Sequence, residues 1–467
     1  MTHSLLSLAA FPNWEELQRV LLLTDYNTRI VIIGTTLLGA AAGMVGSFTL
    51  LRKRSLMGDA LSHATLPGIA LAFILAPTFG LDGKSLGVLL FGATLSGLLG
   101  VVVILAIRSQ TRLKEDTALG AVLSVFFGAG VALLGVIQKM NQGHAAGLES
   151  FILGKTATMS STDLQLIFVA GAICVGGCIL CFKELKLLCF DDVYAGSRGY
   201  RVLWIDILLM GLVVIVTIVG LQAVGLILVI ALLVIPAAAA RFWTSDLRPM
   251  FIGAGVIGAV SGYVGAGCSA LFPKLPSGAM IVLVSTSFFL ISMVFGTRRG
   301  ILSRARRRQR LNRSIDRQHL LRAIYESLEL TQEAALGSVR RSVTLKDLLP
   351  QRSWSMQQLH RILRRTQSEE LVEWVGSEIR LTRRGIIEAR RLTRQHRLWE
   401  LYLINYADVA PGRVDRDADA IEHVLEPEIV SELEKLLQDE QPDLPASPHD
   451  LSDSGVFRAL PEGGSPQ

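Results

Sequence analysis

The sequence predicts an all-α polytopic membrane domain of about nine transmembrane helices, followed by a soluble winged helix-turn-helix and a second helical domain. Three observations predict this fold class. The hydrophobic fraction is 51% and the mean hydropathy is +0.45, which is too apolar for a soluble chain of 467 residues. Apolar runs long enough to cross a bilayer recur up to about residue 296. Most of the Arg and Glu residues come after position 297, so the main domain boundary lies there.

Apolar runs of membrane-spanning length define the predicted transmembrane helices. They lie at 29–51, 62–80, 85–107, 118–137, 163–182, 202–221, 223–242, 250–271 and 279–296. The sixth and seventh runs form one long apolar stretch, which the small residues of GLQAVG divide. Glycine is frequent inside these runs and permits close approach between helices.

The positively charged loops predict the orientation of the chain. Lys and Arg concentrate at 52–54, 108–114, 183–186 with 198–201, 241–248 and in the tail after 297. Such loops stay in the cytoplasm, and nine spans with an external N-terminus place all of them there. We therefore expect a multi-pass protein of the cytoplasmic (inner) membrane with its C-terminal region in the cytoplasm.

Ionisable side chains within or beside spans are candidate functional groups, because a membrane buries them at a cost. Asp59 and His63 lie four residues apart in SLMGDALSHATLPG, on one face of a helix. A carboxylate with an imidazole suits Mn²⁺, Fe²⁺ or Zn²⁺. The alternative is that Asp59 caps the helix and His63 packs against a neighbour. The further candidates are Glu115, Asp116, His144, Glu149 and Asp206.

These further candidates differ in the roles that their positions favour. Glu115 and Asp116 are expected at a helix N-terminus, where acidic groups are stabilising. His144 and Glu149 lie in an external loop, where they could meet incoming metal, although a solvated loop histidine is the simpler interpretation.

Two other patterns carry no chemistry in this chain. Four of the five cysteines lie at 174–189 within an apolar run, where Cys usually packs as a small hydrophobe. The segment GLDGKS (Gly80–Ser85) has two residues between its glycines, where a phosphate-binding loop has four. Any nucleotide-driven activity is therefore expected to need a separate subunit.

Five segments in order carry a resemblance to a known family. They are VGSFTLLRKRSLMGDALSHATLPGIALAF, TRLKEDTALGAVLSVFF, FKELKLLCFDDVYAGSRG, LQAVGLILVIALLVIPAAAA and LPSGAMIVLV. Together they resemble the permease subunit of manganese, zinc and iron ABC importers, over nearly all of residues 30–297. The resemblance implies a transporter subunit and not an enzyme, with a divalent metal as substrate and no tightly bound cofactor. It implies as partners a cytoplasmic ATP-binding subunit, an extracytoplasmic metal-binding protein and a second permease copy or paralogue.

The same resemblance implies roles for particular residues. In this family the Asp and His of the GDALSH motif line the metal pathway, which implies that role for Asp59 and His63. The segment FDDVYAGSRG matches the cytoplasmic loop that docks on the ATPase, and we expect Asp191, Ala195 and Gly199 to act in that docking. The positively charged loops place this segment in the cytoplasm independently.

The soluble half begins with a basic run, TRRGILSRARRRQRLNR (Thr297–Arg313), which favours contact with anionic lipid over nucleic acid. The stretch Val343–Gly385 then predicts helix, turn, helix and a short hairpin, with Ser355 capping the second helix. A basic second helix fits the major groove of DNA, and a protein-interaction module is the alternative. The candidate DNA-contacting residues are Gln357, Gln358, His360, Arg361, Arg364 and Arg365.

A candidate regulatory metal site follows on two predicted helices. His396 and Glu400 are spaced i, i+4, and Asp419, Glu422 and His423 are spaced i, i+3, i+4. These side chains suit a divalent transition metal, and surface salt bridges are the alternative.

The soluble half resembles metal-dependent regulators of the diphtheria-toxin-repressor type, in its winged helix and in its metal-binding and dimerisation domain. The five residues of the candidate regulatory site fall on that family's ligand positions. His319 and Arg322 stand where first-helix carboxylates are expected, and Asp415 stands where a histidine is frequent. An Arg in a cation site repels the ion, so the resemblance implies that regulatory metal binding is altered or lost.

These interpretations divide the chain into five regions. They are a permease domain at 1–297, a basic cytoplasmic linker at 298–314, a winged helix-turn-helix domain at 315–390, a helical metal-binding and dimerisation-like domain at 391–440, and a flexible tail at 441–467. We expect an ATP-driven metal importer permease whose cytoplasmic domain senses metal as an effector. The alternative is a precursor from which cleavage releases a DNA-binding repressor. A stand-alone secondary transporter is disfavoured by the ATPase-docking segment.

Overall fold

A computed structural model describes residues 14–54, 56–83, 85–139, 156, 159–272, 275–334, 342–351 and 354–406. The chain forms two compact units, Met1–Arg304 and Ala305–Gln467. Six residues singled out in the sequence lie outside the described residues; they are His144, Glu149, Asp415, Asp419, Glu422 and His423.

The first unit is helical throughout its described part, which confirms the predicted all-α membrane domain. Its helices are α1 Trp14–Leu21, α2 Tyr26–Leu51, α3 Met57–Leu75, α4 Leu86–Gln110, α5 Glu115–Lys139, α6 Ser161–Leu180, α7 Phe182–Phe190, α8 Asp192–Ser197, α9 Val202–Val224, α10 Leu226–Arg241, α11 Leu247–Leu271 and α12 Ser277–Phe295. A 3₁₀ turn at Ala76–Phe79 extends α3.

The count of candidate spans agrees with the prediction of about nine to within one. Among the described residues, eight helices are long and apolar enough to cross a membrane, namely α2 to α6, α9, α11 and α12. The remaining apolar run forms α10, whose 16 residues extend only about 24 Å. The reason lies at Gly225, where φ is 90° and the long apolar stretch breaks. Helix α9 therefore continues to Val224, and fewer residues remain for its successor.

Three aromatic rings bring the basic ends of three helices together. The ring centroid of Phe48, near the end of α2, lies 5.7 Å from that of Phe182 and 5.6 Å from that of Phe251. Phe182 begins α7, and Phe251 lies in the first turns of α11. The loops that follow α2 and precede α7 and α11 therefore share one end of the bundle.

Polar contacts place the other basic segments at this same end. Arg54, after α2, and Arg108, in the last turn of α4, both bind the carboxylate of Asp206. The backbone N–H of Arg298 donates to the carbonyl oxygen of Phe242 at 3.1 Å. The clustering of positive charge at one end agrees with the sequence-based topology. That this end faces the cytoplasm remains a prediction of the positive-inside rule.

Small residues allow α2 and α11 to touch along their backbones. A Cβ atom on Gly39 would lie 2.3 Å from the carbonyl oxygen of Gly258, and one on Gly43 would lie 2.3 Å from that of Ala254. Both distances are shorter than any real Cβ contact. The four-residue spacing on each helix makes this a small-xxx-small interface, the kind that holds membrane helices together.

The second unit carries one long helix, a small sheet and three further helices. Its elements are α13 Ile301–Ala334, β1 Val343–Thr344, α14 Leu345–Leu348, α15 Met356–Ser368, β2 Val372–Val375, β3 Glu378–Leu381 and α16 Arg383–Tyr406. The first residues of α13 belong to the membrane unit. The segment predicted as a basic linker is thus helical from Ile301 onward.

The sheet of this unit is antiparallel, with strand order β1-β3-β2. Strands β2 and β3 form the expected hairpin, with Val372 paired to Leu381 and Gly376 in the turn at φ 64°. Leu320, Leu359 and Ile379 join α13, α15 and β3 in one buried core. This order of elements is consistent with the predicted winged helix-turn-helix.

The cysteines pack as the sequence predicts. Cys174 and Cys178 are buried in α6. Burial raises the pKa of the Cys189 thiol, in α7, to about 12, so that thiol stays protonated. All five cysteines are free thiols.

Candidate functional site

The position of Asp59 and His63 is set by the turn between α2 and α3. Lys53 adopts φ 62°, and the N–H of Arg54 donates to the carbonyl oxygen of Thr49 at 2.9 Å, which closes the end of α2. Helix α3 then begins at Met57. Asp59 consequently lies in the first turn of α3, where the helix dipole favours a negative charge.

Asp59 and His63 are in direct contact. Nε2 of His63 lies 3.3 Å from Oδ1 of Asp59, and the two side chains are 16% and 32% exposed, respectively. The N-cap position of α3 is held by Leu56, with no side-chain capping bond. Asp59 is therefore not the N-cap residue, but the other part of that alternative, packing of His63 against a neighbour, is present at Phe127. The pair offers a carboxylate and an imidazole on one helix face.

The second nitrogen of His63 lacks a partner. Its Nδ1 atom is buried and makes no hydrogen bond within the described part of the chain. The ring meets Phe127 of α5 edge to face, with centroids 4.8 Å apart. Within the described residues, the polar contact of this imidazole is therefore the one that Nε2 makes with Asp59.

The pair offers two groups of the kind that bind transition metals. Across the described residues, no three or more His, Cys, Asp or Glu side chains come close enough to hold a metal ion. Transition metals in proteins bind four or more ligands. Further ligands would have to be water or groups from outside the described residues.

The segment Asp191–Gly199, which we call the docking segment, is a short helix between α7 and α9. Oδ1 of Asp191 accepts a hydrogen bond from the N–H of Tyr194 at 2.8 Å and so caps α8. Ala195 is fully buried, and Gly199 turns the chain at φ 84°. These three predicted residues determine the local fold of the segment. The exposed residues of the segment include Val193 and Tyr194, which sequence reasoning missed and which are 80% and 49% exposed.

A buried ion cluster lies beside this segment. The guanidinium of Arg54 forms two bonds to Asp206, with Nη1–Oδ1 at 2.5 Å and Nη2–Oδ2 at 3.0 Å. Nη1 of Arg108 lies 2.6 Å from Oδ2 of the same carboxylate. The side chains of Arg54 and Asp206 are only 1% and 2% exposed. The sequence analysis singled out Asp206 but missed both arginines, although an acid near one end of a span predicts basic partners at the same end.

Two of the acidic candidate residues lie at the start of a helix. Glu115 and Asp116 are the first two residues of α5, as predicted from the stabilising effect of acids at helix N-termini. Their position is therefore the helix start that the sequence predicts.

The described half of the candidate regulatory site is a buried pair. Nε2 of His396 lies 3.2 Å from Oε1 of Glu400, and both side chains are almost completely buried. Surface pairing is therefore the wrong interpretation for these two residues. Arg322 of α13 is also buried, and its Nε lies 3.5 Å from Oε1 of Glu326.

Some of the predicted DNA-contacting residues of α15 make contacts within the second unit, and the others are exposed. Ser355 and Gln358 form the expected capping box, with the Ser355 N–H donating to Oε1 of Gln358 at 3.0 Å. His360 packs against Trp374 of the hairpin, with ring centroids 5.2 Å apart. Arg365 is half-buried. The residues left on one exposed stripe of the helix are Gln357, Arg361 and Arg364.

Comparison with protein families matches both parts of the chain. The ABC 3 transport family matches residues 24–296. A second family, described as the iron dependent repressor, metal binding and dimerisation domain, matches residues 382–450. The second match contains His396 and Glu400 together with the three candidate ligands outside the described residues.

Similar proteins include the manganese transport system membrane protein MntC of Bacillus subtilis, which is 38% identical over 84% of this chain and 87% of its own length. The zinc transport system membrane protein TroC of Treponema pallidum is 46% identical over 62% of this chain and 96% of its own length. A solved structure of PsaBC from Streptococcus pneumoniae in complex with Fab aligns with a TM-score of 0.52 at 33% identity. It covers 61% of this chain and 96% of the solved chain.

Proposed function

Because this chain belongs to the ABC 3 transport family, we propose that it is the permease of an ATP-driven importer of divalent transition metal ions, which are manganese, zinc or iron. Asp59 and His63 carry the proposal. They place a carboxylate 3.3 Å from an imidazole at one end of a membrane helix. Such mixed oxygen and nitrogen ligands bind all three ions.

The pair acts as a transient binding point at the inner end of the pathway. An ion that reaches it replaces the contact between His63 and Asp59 and gains two ligands at once. Because these two are the ligand side chains that the described residues bring together there, the ion leaves readily for the cytoplasm. Energy for the cycle comes from a separate cytoplasmic ATPase that binds the docking segment, and an extracytoplasmic metal-binding protein delivers the ion. A second permease copy or paralogue completes the pathway.

The test is metal accumulation in cells that express the chain with its partners. We expect Asp59→Ala and His63→Ala each to abolish uptake of Mn²⁺ and Zn²⁺ while the protein still reaches the membrane. The measurement is cellular metal content by mass spectrometry, normalised to permease in isolated membranes. Asp246→Ala is the matched control, because this exposed carboxylate makes no capping bond on α11. Uptake at the unaltered rate by both pathway variants would overturn the assignment.

For the C-terminal region we propose regulation by metal. The match at residues 382–450 and the buried His396–Glu400 pair support a metal-responsive domain. Metal that enters the cell would bind through His396 and Glu400, in a site that the departure at Arg322 alters from the family's pattern, and would reduce transport. The exposed stripe of Gln357, Arg361 and Arg364 supports DNA as a second partner of this region. Release of the region by cleavage has no support from α13, which is helical from Ile301 through the rest of the basic run.

A further inference from the structure

The turn between α2 and α3 holds the chain on both sides of the docking segment. Nη1 of Arg52 donates to the carbonyl oxygen of Leu188 at 2.9 Å and to Oδ2 of Asp192 at 3.1 Å. Two residues later, Arg54 binds Asp206 through both carboxylate oxygens. Leu188 and Asp192 lie before and at the start of α8, and Asp206 lies in the second turn of α9, after it. The docking segment is therefore bracketed by two arginines of one turn.

The backbone of the same turn starts the helix that carries the metal pair. The N–H of Met57 donates to the carbonyl oxygen of Arg54 at 3.0 Å, and Asp59 follows two residues later. Lys53 is fixed in the left-handed region at φ 62°, which leaves this turn little freedom. Movement of either arginine side chain is therefore transmitted to the first turn of α3 through the backbone of this turn and the hydrogen bond between Arg54 and Met57.

The two contacts differ in burial and so in strength. Arg54 and Asp206 are almost fully buried, which makes their attraction strong and makes separation of the charges costly. The side chain of Asp192 is 41% exposed, and that of Arg52 is 10% exposed. The Arg54–Asp206 pair is therefore the fixed point of the turn. The Arg52–Asp192 pair, on the docking side, is the contact that can open and close.

We propose that the Arg52–Arg54 turn is a mechanical link which transmits movement of the docking segment to the helix carrying Asp59 and His63. Arg52 is the positioning residue of this link. Its side chain couples the position of the first turn of α3 to the position of the docking segment. Movement of the docking segment therefore controls when the metal is released. The proposal rests on the proposed function, because only an ATP-driven transporter gives the docking segment a moving partner.

Hydrogen exchange on the full-length chain in lipid nanodiscs tests the link without any ATPase. We expect Arg52→Gln and Asp192→Asn to speed amide exchange on the order of fivefold, the effect of losing about 1 kcal/mol of net hydrogen bonding. The faster exchange should appear together in the docking segment and in residues 57–63. Arg248→Gln, which alters an exposed arginine at the start of α11, should change neither region. Faster exchange confined to the docking segment would overturn the link.

Transport measured together with ATP hydrolysis tests the consequence. In cells and vesicles that hold the chain with its ATPase, Arg52→Gln should lower metal uptake several-fold per ATP hydrolysed, while hydrolysis continues. The double variant Arg52→Glu with Asp192→Arg should recover part of the lost ratio. An unchanged ratio of uptake to hydrolysis in Arg52→Gln would reject its positioning role. No uptake by the unaltered chain would instead reject the proposed function, and the exchange experiment would still decide the link.

Discussion

Asp206 is the residue whose single replacement should cost this membrane unit the most stability. Its carboxylate binds both Arg54 and Arg108, and Arg54 is buried. We expect Asp206→Ala to lower the free energy of unfolding by about 3–5 kcal/mol, because it leaves a buried cation without its counter-charge. Thermal unfolding of the purified protein in detergent measures the effect.

Replacing both members of the buried Arg54–Asp206 pair should lower the free energy of unfolding less than replacing Asp206 alone. The double variant Arg54→Met with Asp206→Leu removes the two charges together and keeps most of the volume. Asp246→Ala removes an exposed carboxylate and serves as the control. An Asp206→Ala protein as stable as that control would show that Asp206 does not hold the bundle.

Single residues were predictable where the chemistry is local. The four-residue spacing of Asp59 and His63 places them on one helix face whatever surrounds the helix, and the structure confirms their contact. The partners of Asp206 were not predictable in the same way, because Arg54 lies 152 residues away in the chain. Which basic group meets an acid across a bundle depends on helix packing, which a single sequence does not specify.

At the scale of elements, the close backbone packing of α2 against α11 predicts the effect of a glycine substitution. A Cβ on Gly39 would lie 2.3 Å from the backbone oxygen of Gly258, which belongs to a helix and cannot rotate away. We expect Gly39→Ala to destabilise the protein by about 1–3 kcal/mol, the usual cost of overpacking. Gly128→Ala on α5 is the matched control, because its added Cβ meets nothing within 4 Å. Equal unfolding temperatures for the two variants would show that the helices tolerate separation at this point.

The helix count shows what hydropathy leaves out. Window averages over the run from 202 to 242 give one continuous apolar signal, and the sequence analysis placed its division within GLQAVG, before α10. The break is at Gly225, the last residue of that motif, whose φ of 90° suits glycine; the predicted spans ended at 221 and resumed at 223. A shift of three residues is enough to leave α10 at 16 residues. Hydropathy reports which residues avoid water but not where the backbone turns.

At the scale of the whole molecule, the change in composition near residue 297 predicted two parts, and two compact units are present. Each has a core of its own. One runs from Ile30 to Ile281, and the other from Leu320 to Ala389. Composition did not predict that α13 begins at Ile301, because a run of arginines gives no periodic apolar face from which to recognise a helix.

Separate cores predict that the membrane unit works without the second unit. Truncation after Arg304 removes the second unit, and it retains the bond from Ser303 Oγ to the carbonyl oxygen of Gly296. We expect this truncated chain to take up metal at a rate close to that of the full chain, because the Asp59–His63 pair and the docking segment remain. Uptake by the full chain should fall as cytoplasmic metal rises, whereas uptake by the truncated chain should not. Initial uptake rates in cells preloaded with Mn²⁺ or Zn²⁺ measure the difference.

His396→Ala in the full chain separates metal sensing from a general effect of the second unit. This variant removes one buried ligand candidate and should respond to preloading as the truncated chain does. Arg361→Ala alters only an exposed side chain of α15 and should keep the full response. If preloading slows the full and truncated chains equally, the second unit does not regulate transport. In that case, a gel-retardation assay would test whether the full chain binds DNA in the presence of Mn²⁺. Binding that is lost in Arg361→Ala would show that the exposed stripe of α15 is the DNA-binding surface.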